Sequence, residues 1–211
     1  MKTDELINML SQDSDVRFRF GTIMVSALVA AALLAGLLFF AAMGARPDFY
    51  EALESVRFLF KFVITLALFL AAANLMARMA RPGVPILFSR AVVLAVPMLL
   101  AFAVLAELAA VRPTDWALNM IGHNAYECLT LIPLLSIGPL AAFLLALRQG
   151  APADPGKAGA VAGLAAGGIA AAFYAANCTD DSPLFVALWY TLAIGIVTRA
   201  GYLAGRRWLV W

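Results

Sequence analysis

The chain has 211 residues, 64% of them hydrophobic, with a mean hydropathy of +0.91 and a formal net charge of +2. This composition excludes a soluble domain of ordinary size, because a self-standing water-soluble core needs upwards of about 50 residues and the apolar stretches leave no such length free. The small net charge gives no ground for direct nucleic-acid binding, since a bias of cations toward one side of a membrane accounts for it.

Met1–Arg19 is the only sizeable polar segment. Thr3 suits a helix N-cap, Asp4 and Glu5 suit the positive end of the helix dipole, and Leu6, Ile7, Met9 and Leu10 form an apolar stripe that Asp13, Ser14 and Asp15 close. A helix of about ten residues is marginal alone in water, so it needs a surface to form against. The bilayer is one such surface and a groove on a soluble protein is the other. The acidic character of the segment before Arg17 favours the groove, since helices lying on anionic leaflets are rich in Lys and Arg.

Six apolar stretches follow, at Phe20–Ala42, Phe58–Met76, Leu87–Leu108, Ala125–Leu147, Ala158–Ala176 and Leu184–Leu203. About 20 mostly apolar residues cross a hydrocarbon core about 30 Å thick, so each stretch predicts a transmembrane helix. The first follows a polar segment and precedes no clear small-residue cleavage site, which predicts a retained span rather than a signal peptide. The expected fold is therefore all-α, a six-helix transmembrane bundle at 20–205 between a cytoplasmic segment at 1–19 and a cytoplasmic tail at 206–211.

Orientation follows from the short loops. With the N-terminus inside, the outer side holds only Arg46, Arg57, Lys61 and Arg112, and every other Lys and Arg is inner. The outer segments also carry Asp48, Glu51, Glu54, Asp115, Asp180 and Asp181. Arg78–Pro85 and Arg148–Lys157 make the inner turns, while Ala45–Arg57 predicts a short interfacial helix after Pro47. Trp208 and Trp211 suit the inner headgroup level, and Trp116 the outer.

Inside the spans, Gly159, Gly163 and Gly167 recur on one face of the fifth helix, and Gly201 and Gly205 repeat the spacing in the sixth. Small residues so placed let two backbones approach closely in lipid, either within the bundle or between two copies of the chain. Pro97, Pro133 and Pro139 predict kinks in the third and fourth helices. Glu107 and Glu127 lie near the outer ends of those helices, where water can hydrate them.

Cys128 and Cys178 are both expected at the outer side, an oxidising compartment in a bacterium, where they stand either as free apolar residues or as a bridged pair. His123 and Glu127 share a helical face beside Cys128, and Cys178 is followed by Asp180 and Asp181. Thiol, imidazole and carboxylate donors in one place suit a soft or borderline metal ion or a reactive thiol pair. No CxxC or HExxH spacing supports a structural zinc or a metalloprotease centre.

The opening MKTDELINMLSQD, then VRFRF before the first span, resembles the start of NrsF-type proteins, negative regulators of sigma factor F. Six spans, a similar length and one cysteine in each of two later outer-side regions extend the resemblance across the chain. It implies a non-enzymatic anti-sigma factor of the bacterial inner membrane that binds an extracytoplasmic-function sigma factor. The implied contacts are Thr3, Asp4, Glu5, Leu6 and Leu10. The implied sensors of oxidative or heavy-metal stress are Cys128 and Cys178, with no resident cofactor beyond a transient heavy-metal ion. The alternative function is a small six-helix transporter or channel, although mid-span polar residues are few beyond Thr65, Asn74 and Ser136. The lipid bilayer and a second copy through the glycine face of helix five complete the expected partners. An enzyme is not expected, because no nucleophile–base–acid arrangement is evident.

Overall fold

A computed structural model describes residues 20–81 and 83–209. Among these the chain is all-helical, with six helices long and apolar enough to cross a membrane. We label the helices α1 (Phe20–Ala42), α2 (Phe49–Ala52), α3 (Val56–Met79), α4 (Leu87–Ala110), α5 (Trp116–Ile121), α6 (Ala125–Leu147), α7 (Pro155–Ala175) and α8 (Pro183–Trp208). The expected spans are all present. So is the short helix after Pro47, now α2. Helix α8 continues through Arg206 and Arg207 to Trp208, past the expected tail boundary at 205.

Local chemistry explains the two best-defined helix starts. Asp154 accepts a hydrogen bond from Lys157 N at 3.0 Å and pairs with its ammonium at 2.8 Å, with Pro155 at the first helical position. That cation and the two backbone N–H groups hold the Asp154 carboxyl below the usual carboxylate range. Ser182 does the same for α8, accepting from Leu184 N at 3.2 Å ahead of Pro183.

Helix α7 is the centre of the bundle, packed by α1, α3, α6 and α8. Its many Ala and Gly residues make that position accessible, because thin helices pack at short range where lipid supplies no hydrophobic drive. A Cβ on Gly163 would stand 2.8 Å from Thr198 Cα, and one on Gly205 would stand 2.9 Å from Gly159 Cα. The glycine faces of α7 and α8 thus meet within one chain, and the α7 face is not open to a second copy. Gly168, on another side of α7, lies against the Phe69 backbone of α3.

Helix α4 stands at the periphery. It packs on α3 and on the first turns of α8, and most of its apolar surface is exposed. Pro97 lies inside α4, and Pro133 and Pro139 lie inside α6. The expected sixth span carries a π-helical turn at Val186–Tyr190. The connection before α6 is also more ordered than its sequence suggests, with a 3₁₀ turn at Pro113–Asp115 leading into α5.

Candidate functional site

The loop between α7 and α8, Asn177–Ser182, gathers contacts from most of the other segments at its end of the bundle. Lys61 on α3 is fully buried, and its Nζ lies 2.5 Å from Asp181 Oδ1. The same ammonium donates to Cys178 O at 2.8 Å and to Asp180 O at 3.3 Å. A buried cation needs such a complete set of partners, since desolvation alone would expel it.

Arg46, in the α1–α2 loop, bridges two acids. Its Nη2 pairs with Asp48 at 2.5 Å and its Nη1 with Asp181 at 3.1 Å. The hydrogen bond from Arg46 holds the Asp48 carboxyl down to about 2, and the two carboxylates together keep the guanidinium charged against its partial burial. The Phe58 ring receives both cations, with Arg46 Cζ at 5.4 Å and Lys61 Nζ at 5.3 Å from its centroid. Hydrogen bonds to backbone carbonyls fasten the same two loops, Arg46 N to Ala176 O at 3.0 Å and Asn177 Nδ2 to Gly44 O at 3.1 Å.

Asp180 turns the other way, toward the start of α6. Its Oδ2 accepts from His123 N at 2.9 Å, from Asn124 N at 2.8 Å and from Asn124 Nδ2 at 2.8 Å. A carboxylate from one loop thereby caps a helix in another. Burial opposes its ionisation, but the bonds from Asn124 and His123 prevail and hold its pKa below the usual range. Gly122 makes this approach feasible. It adopts φ +60°, ψ −166°, a region open essentially to glycine, and a Cβ there would stand 2.8 Å from Asp180 Cγ.

Glu107 completes the set from α4. It is buried, with Arg57 Nε at 3.2 Å and Ser182 Oγ at 3.2 Å. The expected hydrated placement is corrected here, because the folded loop covers the carboxylate and α3 supplies its cation.

Cys128 and Cys178 are free thiols, both buried in one apolar cluster that includes Tyr174, Phe185 and Tyr190. Cys178 Sγ donates to Asp180 O at 3.7 Å. Burial pushes the Cys178 thiol up, and the Lys61 cation offsets this only in part. Tyr190 Oη, in the same cluster, is buried without a hydrogen-bond partner among the described residues.

Of the candidate metal donors, the structure brings the two cysteines and Asp180 to one loop cluster but engages the acids elsewhere. Asp181 is held by Lys61 and Arg46, Asp180 by backbone amides, and Glu127 is exposed. His123 is 96% exposed, with Nδ1 3.6 Å from Asp180 Oδ1. No group of three or more His, Cys, Asp or Glu among the described residues is arranged to hold a metal ion. Thr3, Asp4, Glu5, Leu6 and Leu10 lie outside the described residues.

By sequence Lys61 and Arg46 are outer cations and no more; that they hold the cysteine loop emerges only from the fold. The available signal was a lysine inside the apolar run Phe58–Leu70.

The profile of the NrsF family, described as negative regulator of sigma F, matches residues 10–211. The chain belongs to this family. It is 33% identical over 216 residues to "Anti-sigma-F factor NrsF" of Caulobacter vibrioides (strain NA1000 / CB15N), with all of both chains covered. It is 32% identical, again over the whole of both chains, to "Probable anti-sigma-F factor NrsF" of Azospira oryzae (strain ATCC BAA-33 / DSM 13638 / PS). No solved structure gives a significant match to the chain. Within the NrsF match lie both cysteines, Lys61, Arg46 and the whole Asn177–Ser182 loop, whereas Thr3, Asp4, Glu5 and Leu6 precede it.

Proposed function

We propose that this chain is an anti-sigma factor of the bacterial cytoplasmic membrane that holds an extracytoplasmic-function sigma factor through residues 1–19 and releases it when chemistry at Cys128 and Cys178 rearranges the bundle. The full-length similarity to two proteins named as anti-sigma-F factors carries the reading. The charge distribution supports the topology, with Arg78, Arg81, Arg90, Arg148, Lys157, Arg206 and Arg207 at the end opposite the Cys178 loop. A regulatory rather than enzymatic role follows from the family.

Two features of the bundle support the cysteine part. Both thiols occupy one buried cluster, and the backbone around Cys178 is held by cations from two other segments. An oxidant or a soft metal ion that joined the sulfurs would pull on that loop, and through Lys61 on α3. Release needs only a difference in affinity between two bundle states, and about 1.4 kcal/mol gives a tenfold change.

The transporter alternative finds less support. The hydroxyls of Thr65 and Ser136 return to carbonyls of their own helices at 2.7 Å, and Asn74 pairs with Ser89 at 3.3 Å. Such groups are satisfied locally and offer no series of free polar sites for a solute.

The test is retrieval of the cognate sigma factor by the full chain and by a chain lacking residues 1–19, each checked for an intact bundle by gel filtration. Retrieval is expected only with the full chain, and equal retrieval would overturn the reading. In cells, Cys128→Ser with Cys178→Ser is expected to abolish induction of a sigma-dependent reporter by cadmium or peroxide. Retained induction would remove the cysteines from the mechanism while leaving sigma binding intact.

A further inference from the structure

A slot of about 760 Å³ separates α4 from α7 and α8. Its walls are almost entirely apolar, with Ile64 on α3, Val93 and Pro97 on α4, and Tyr190 and Gly195 on α8. Helix α4 touches α3 and the first turns of α8 but leaves the slot unfilled beyond them. The rim residues Leu94, Thr191 and Gly195 are exposed, so the slot opens sideways from the bundle.

Three observations say what fits there. First, all the walls belong to helices long and apolar enough to cross a bilayer, so the opening faces hydrocarbon rather than water. Second, along α8 the lining runs from Val186 to Tyr202, about 24 Å at 1.5 Å per residue, which matches an extended chain rather than a compact ligand. Third, Arg199 and Tyr202 line the end of the slot nearer Arg206 and Arg207, and an arginine there draws an anionic group while its stem lies along apolar surface. Gly195 keeps the wall open, as nothing lies within 4 Å of where its Cβ would be.

We infer that the slot is a phospholipid site: one acyl chain lies between α4 and α8, and the phosphate of an anionic headgroup pairs with Arg199. The lipid takes the place of the helix contacts that α4 lacks and joins it to the central α7–α8 pair. The tail also rests against Tyr190, which packs in the same apolar cluster as the two cysteines.

The experiment uses the purified full chain in a mild detergent, stripped of lipid and titrated with phosphatidylglycerol or phosphatidylcholine, with native mass spectrometry counting bound lipid. One phosphatidylglycerol is expected to bind about fivefold more tightly than phosphatidylcholine, and Arg199→Gln is expected to erase that preference. Gly195→Phe and, from the opposite wall, Val93→Trp are each expected to reduce bound lipid at least tenfold while keeping the monodisperse profile and melting temperature of the parent. Lipid retained at parental levels by both filled variants would overturn the site, as would a parent that binds no lipid above the detergent-exchange background. Equal binding of both lipids by the parent would overturn the Arg199 pairing.

Discussion

Asp180 joins two loops through three hydrogen bonds to its ionised carboxyl, and this makes its contribution depend on pH in a definite direction. A carboxyl held below its unfolded value of about 3.9 contributes in full above that pH and loses its contribution as pH falls through the folded value. Asp180→Ala is therefore expected to lower the stability of the purified protein by about 1–2 kcal/mol between pH 5 and 7, around the lower end of the range for charge-assisted bonds because solvent reaches this loop. Below about pH 4 the difference from the parent should shrink. Thermal melting across that range checks it, and a constant difference down to pH 3 would show that the charge is not what joins the loops. The acidity of the Asn177–Pro183 turn was legible in the sequence, as was its nearness to Cys178. The division of labour was not: Asp180 faces the amides of α6 and Asp181 faces Lys61 and Arg46. Nothing in two adjacent aspartates encodes this, because their directions are set by loops 56 and 135 residues away.

At the scale of helices, the sequence was most readable where lipid imposes the rule. Every long span had to be a continuous apolar helix, and the boundaries differ mainly where a polar first or last turn extends the helix beyond its apolar part, as at Val56–Arg57 and Arg206–Trp208. Helix α5 leaves no signature in the sequence because six residues are too few to show a helical period. The π turn in α8 has no pattern to announce it. The glycine spacing on α7 and α8 predicted a close crossing, and the structure puts the two faces against each other within the chain. Gly163→Val tests how close. Its added carbons would meet the backbone of α8 at Val197 and Thr198, which cannot rotate aside, so the helices must separate. A loss of about 3 kcal/mol is expected, at the upper end for overpacked sites, against no loss for Gly195→Ala, where the space is open. Equal melting temperatures for the two variants would show that α7 and α8 do not pack backbone to backbone.

For the molecule as a whole, the cysteine loop is a keystone: α3 and α4 meet it through Lys61 and Glu107, the first loop through Arg46, and the start of α6 through Asp180. The sequence identified the cysteines and missed the clamp, since ion pairs between distant segments exist only after folding. This arrangement bears on how the thiols react. A thiol reacts as its thiolate and at an accessible surface, and Cys178 has neither property while the loop is closed, being buried with its pKa raised. Reaction must therefore pass through an opened loop, and its rate should follow the strength of the Lys61–Asp181 pair. Lys61→Met removes the cation from Asp181 and the donor from the carbonyls of Cys178 and Asp180. Breaking one side of a buried pair costs about 3–5 kcal/mol globally, and if only about 1.4 kcal/mol of that falls on loop opening, the open population rises tenfold. In a Cys128→Ser background, where Cys178 is the sole thiol, maleimide should label Lys61→Met at least ten times faster than its parent under conditions where both remain folded by circular dichroism. Labelling at the parental rate in a folded variant would mean that the ion pair does not govern access to Cys178. In that case the loop opens by another route, and the coupling from sulfur to α3 would have to run through the apolar cluster instead.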